Sequence, residues 1–136
     1  MSRRKARELA LQVLFQEDLT RSDSGEVRVS FWHTRAAPAV REYAEELFKH
    51  AVDNETLIED LIRRFTQHWK LERIAAVDRN VLRLAIAEFL FTETPNVVVI
   101  DEAVEIARKF GSEKSPEFVN GVLDAIRQEI ERTRHE

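Results

Sequence analysis

The segment VLRLAIAEFLF, from Val81 to Phe91, limits the fold more than any other stretch of the chain. Arg83 and Glu88 are its only charged residues. A helix that is apolar nearly all round has no face to turn toward water, so other elements must surround it. What surrounds it follows from the composition. Three glycines and three prolines in 136 residues are too few for the turns of an all-β fold, and they favour long helices. A chain of this length buries a real core as a single domain, spanning residues 1–136. Disulfide staples are excluded, because there is no cysteine.

The other stripes repeat at helical spacing. Ala6, Leu9, Ala10 and Val13 define a first helix from Ser2, a plausible N-cap, to about Leu19. Residues 20–39 keep no helical period and read as a loop. Val40, Tyr43, Ala44, Leu47, Phe48 and Ala51 make a second stripe. After a break at Asp53-Asn54, Leu57, Ile58, Leu61, Ile62 and Phe65 make a third. Pro95 closes the central unit, and Val97 to Ile100 leads into a helix through Ala103, Ile106 and Ala107. Gly111 is expected to stop that helix in a left-handed C′ conformation. Ser115-Pro116 offers an N-cap and an N1 proline to a last helix that buries Val119, Val122, Leu123, Ile126 and Ile130. Gly121 inside it costs about 1 kcal/mol against alanine, which predicts close approach of another backbone. The expected fold is all-α, with about six or seven helices and no sheet.

Catalytic chemistry has little to stand on. His33, His50, His68 and His135 are scattered, and neither cysteines nor an HExxH pattern could hold zinc. The glycines are isolated, so no phosphate-cradling loop is present. Carboxylate pairs such as Glu45-Glu46 read as solvated helix faces. The expectation is a protein that is not an enzyme, with no cofactor and no metal. No run approaches the roughly 18 apolar residues of a membrane span. With no cysteine and no signal-peptide pattern, a soluble cytoplasmic protein is expected.

Charge is where function shows. The first helix opens with Arg3, Arg4, Lys5 and Arg7, although unpaired N–H groups give a helix start partial positive charge. Those four belong to 21 basic residues, which leaves 17 against 25 acidic ones elsewhere. Cations so concentrated on an acidic molecule suit nucleic acid, the alternative being a basic end that only meets solvent. Projected around the helix, Phe15 falls opposite the buried stripe, with Leu11 and Arg4 on the same far side and Arg7 beside them. It is therefore either covered by the chain or left for a partner. In residues 111–124, GSEKSPEFVNGVLD, Lys114 and Phe118 flank a helix start able to meet phosphate, and Phe118 offers a ring for a base. The competing role for Phe118 is as the first core residue of its helix. For Asp78, simple capping of the central helix competes with a functional role.

Together these segments resemble the NusB family of bacterial transcription antitermination factors. RRKARELALQVLFQ, VDRNVLRLAIAEFLF and VIDEAVEIARKFGSEKSPEFVNGVLD carry the resemblance, in order, over nearly the whole chain. It implies two packed small helical bundles, divided here near residue 70 into halves of about 1–70 and 71–136. It also implies binding of single-stranded boxA-type RNA from ribosomal RNA leaders, together with the small-subunit ribosomal protein known as Nus factor E. Other Nus factors and RNA polymerase complete the assembly that reads through terminators. By the same resemblance Arg3, Arg4, Lys5, Arg7 and Phe118 lie on the RNA surface, with Lys114 beside them. Phe15 and Asp78 match the protein-partner surface, through which some members form homodimers. The family often has Tyr where this chain has Phe15, and an acid where it has Lys114. Two other roles fit the same fold: a non-catalytic dimerisation or adaptor module, and the stand-alone equivalent of the N-terminal domain of a ribosomal RNA cytosine methyltransferase.

Overall fold

The segment from Val81 to Phe91 is helical, and the rest of the fold is built round it. The computed structural model describes residues 2–20, 36–67 and 73–134, and among these six helices and no strand occur. They are α1 (Arg3–Thr20), α2 (Pro38–Asp53), α3 (Glu55–Phe65), α4 (Ala76–Phe91), α5 (Asn96–Phe110) and α6 (Ser115–Arg134). Helix α4 packs on all five others. Every side chain from Asn80 to Phe89 is buried, Arg83 and Glu88 included. One contiguous core draws apolar residues from all six helices.

Helix α1 runs antiparallel to α4, since Arg7 meets Glu88 near one end and Asp18 meets Arg79 and Asn80 near the other. It is gripped on two sides. Ala6, Ala10 and Val13 are fully buried, and so, nearly, is Leu11 at 5% exposure. Leu11 faces Val81, Leu84, Val99, Ala103 and Ile106 round a cavity of about 20 Å³, enough for one water. The far side of α1 is thus closed at Leu11, while Phe15, one turn on, is half-buried.

The helix ends follow local chemistry, with two departures, at Gly111 and Ser115. Ser2 caps α1 as expected, its Oγ accepting the Lys5 N–H at 3.2 Å. Asn54 ends α2 and begins α3, its Nδ2 donating to the His50 carbonyl at 2.9 Å. Gly111 closes α5, but with φ −95° rather than in the left-handed region. Space is what it supplies: a Cβ there would stand 2.4 Å from Ser115 Oγ and 2.8 Å from the Ala107 carbonyl. Ser115 does not cap α6 forward; its Oγ accepts the Ser112 N–H at 2.9 Å, and the Lys114 carbonyl takes the Phe118 N–H at 3.1 Å. A methyl group at Gly121 would meet nothing within 4 Å among the described residues, so none of their backbones approaches it. On α3, Leu57 leaves its stripe and is 50% exposed. The loop expected over 20–39 falls mostly outside the described residues.

Candidate nucleic-acid interface

The four cations at the start of α1 divide by what they touch. Arg7 turns inward and is only 6% exposed. Its Nε and Nη2 reach the two carboxylate oxygens of Glu88 at 2.8 and 2.6 Å, a two-pronged pair across α1 and α4. Tyr43 on α2 donates its hydroxyl to the same Glu88 at 2.9 Å. Burial works to lower the Arg7 pKa, but the hydrogen bonds and charge of Glu88, aided by Glu102, more than offset it and the net shift is upward. The phenol of Tyr43 is held above its ordinary value chiefly by burial, against the Thr94 hydrogen bond and with the charge of Glu88 adding to it. It therefore stays a neutral donor. Arg7, expected as an RNA contact, thus has its fork spent on a buried carboxylate that joins α1 to α4.

The other three remain at the surface. Arg4 pairs with Glu102 of α5 at 2.7 Å, an exposed contact that water and salt can exchange. Arg3 makes no ion pair among the described residues; its guanidinium lies 4.9 Å from the Tyr43 ring centroid and donates to Thr94 Oγ1 at 3.3 Å. Lys5 is exposed and unpaired among the described residues. The first turn of α1 holds no acid, and the countercharges of Arg4 and Arg7 come from other helices, as Glu102 and Glu88.

A second region forms at the opposite end of α4. Asp78, Lys114 and Phe118 line one open groove of about 520 Å³ with Arg73, Ile74, Ala75 and Glu117. Lys114 is exposed, whereas Phe118 packs one side on the core and also lines the groove. Asp78 is not a cap: no side-chain cap bond forms at α4, and its buried Oδ1 has no hydrogen-bond partner among the described residues. Ten residues of α4, about 15 Å, separate Asp78 from Glu88. The structure therefore joins Asp78 to Lys114 and Phe118, and keeps that group apart from Arg3, Arg4 and Lys5. Glu88, Glu102, Tyr43 and Thr94 had no place among the expected site residues. One signal did point to Glu88: an acid in an apolar helix needs a buried cation.

Residues 4–128 match the sequence profile of the NusB family. The chain belongs to the NusB family. The transcription antitermination protein NusB of Koribacter versatilis is 47% identical over 136 residues, covering 98% of this chain and 93% of that protein. That of Solibacter usitatus is 42% identical over 132 residues, covering 95% and 90%. Solved NusB structures share the architecture. T. maritima NusB superposes with a TM-score of 0.88 at 39% identity, covering 95% of this chain and 92% of that one. A chain from a structure of the antitermination factors NusB and NusE in complex with dsRNA gives 0.83 at 32% identity, covering 93% and 96%. The expected all-α, NusB-like fold is thus present. Among NusB proteins this chain is a transcription antitermination factor by sequence over nearly its whole length. No helix among its described residues is long and apolar enough to cross a membrane.

Proposed function

We propose that this NusB-family chain binds single-stranded boxA-type RNA of ribosomal RNA leaders jointly with Nus factor E, and promotes read-through by RNA polymerase and the other Nus factors. The observation that carries the reading is a cationic helix start, Arg3, Arg4 and Lys5, presented on a core-anchored helix with Arg7 tied beneath it. The NusB–NusE–dsRNA assembly supports RNA and NusE as partners. Lys114 adds a charge and Phe118 a partly open ring at the far groove, so phosphate attraction and base stacking come from separate places. Phe15 and Asp78 serve the protein partner. The chain acts in the cytoplasm as one RNA-binding domain of two helical halves, about 1–70 and 71–136, without catalysis.

Fluorescence anisotropy with labelled boxA RNA, across a salt series, tests this. Three phosphate contacts at about −0.7 each predict a contribution of roughly −2 to the logarithmic salt slope. Joint replacement of Arg3, Arg4 and Lys5 by Gln removes that part of the slope. Phe118→Ala lowers affinity by about 1–3 kcal/mol and leaves the slope alone. Unchanged affinity and slope in the triple variant sinks the reading. Preference for a duplex of the same sequence would replace single-stranded RNA as the ligand.

A further inference from the structure

Arg3, Arg4 and Lys5 carry the same charge, yet the structure prepares them differently. Arg4 is already engaged by Glu102 at 2.7 Å, so a phosphate must compete for it. Lys5 is exposed, without a seat among the described residues. Arg3 alone of the three rests on neutral groups: the Tyr43 ring beneath its guanidinium at 4.9 Å, and Thr94 Oγ1 at 3.3 Å from Nη1. Both of those groups are buried and tied into the core. Tyr43 donates to Glu88 at 2.9 Å and meets Thr94 Oγ1 at 3.3 Å. Thr94 is held in turn by Thr92, whose Oγ1 lies 3.3 Å from Thr94 Oγ1 and accepts the Thr94 N–H at 3.3 Å. Such a seat orients a cation without neutralising it. A long flexible side chain held in its binding geometry loses less freedom when an anion arrives.

We propose that Thr94 and Tyr43 are positioning residues for RNA: they hold the Arg3 guanidinium in place with its charge uncompensated, so that Arg3 is the dominant phosphate contact of the cluster. The Arg7–Glu88 pair fixes the helix start from which Arg3 is presented. This rests on the RNA-binding reading above and deepens it. Thr94 makes no contact with RNA itself; its effect passes through Arg3.

The test is a double-mutant cycle on the full chain, with labelled single-stranded boxA RNA as the probe and thermal melting run on every variant. Thr94→Val keeps the shape and removes the hydroxyl; Thr94→Ser keeps the hydroxyl. Holding one rotamer-rich side chain is worth about two- to ten-fold in affinity, so Thr94→Val weakens binding by that factor and Thr94→Ser restores it. Because the charge of Arg3 remains, the salt slope of Thr94→Val equals that of the wild type. Arg3→Gln reduces the slope by about 0.7, and adding Thr94→Val to Arg3→Gln costs nothing further. The proposal is overturned if Thr94→Val binds as tightly as the wild type. An equal loss with Arg3 present and absent overturns it too, since that marks Thr94 as merely structural. Wild-type chain that fails to bind this RNA overturns the RNA-binding reading itself, and the proposal with it; binding without salt dependence overturns the phosphate role of Arg3 alone.

Discussion

Arg7 and Arg3 stand four positions apart on one helix and meet opposite fates. Arg7 is 6% exposed against a Glu88 that is 2% exposed, so each charge depends on the other for the solvation it has lost. Arg7→Ala is expected to cost about 3–5 kcal/mol in urea unfolding, because Glu88 is left buried without its cation. Arg3→Gln, at the surface, is expected to stay within about 0.5 kcal/mol of the wild type. Replacing Arg7 by Gln along with its three neighbours would therefore confound RNA binding with folding. Tyr43 adds a pH dependence. Its folded pKa is raised, so the unfolded chain gives up the phenol proton first. The associated stability is whole below the ordinary value of 10.0 and is lost as pH climbs through the folded value. Thermal melting should show a fall above pH 10.0 that is shallower in Tyr43→Phe. That variant should also lose about 1.5–3 kcal/mol at neutral pH with its bond to a charged acceptor.

At the scale of the helix, most of the pattern was legible and two glycines were not. The stripes of α2, α5 and α6 were readable because helical periodicity depends on residues three and four apart, whose apolar character alone decides the buried face. The glycine reading failed because one residue type serves several purposes. Gly111 was expected for its backbone freedom, and it is needed for room beside Ser115 and the Ala107 carbonyl. Gly121 was expected to sit under another backbone, and none among the described residues comes near it. Gly121→Ala should therefore stabilise α6 by about 1 kcal/mol, read as a raised melting temperature. Loss of stability would mean that the exposed position carries a constraint of its own. Leu57 departs from its stripe for a related reason: periodicity assigns a direction, and only neighbours decide whether anything lies there to cover the side chain.

At the scale of the molecule, antiparallel packing sorts the candidate residues into places. Residues toward the start of α1 lie by the C-terminal part of α4, and residues toward its end lie by Asp78. Phe15 is on the latter side, three residues before the Asp18 that meets Arg79. Phe15→Asp should weaken heterodimer formation with Nus factor E in size-exclusion or calorimetric titration, with the melting temperature nearly unchanged. Unfolding of that variant would instead make Phe15 part of the core. What the sequence determined by itself was helical content, the central place of α4 and the excess of cations at one end, since each rests on local spacing or on counting. What the tertiary structure decided was which cation is buried and what each one touches. The partner of Arg7 lies 81 residues away, and the groove that unites Asp78 with Phe118 is made by two helices that meet only when the core closes. A charge's role depends on its solvation and nearest countercharge, and for these residues both are set by packing across the chain.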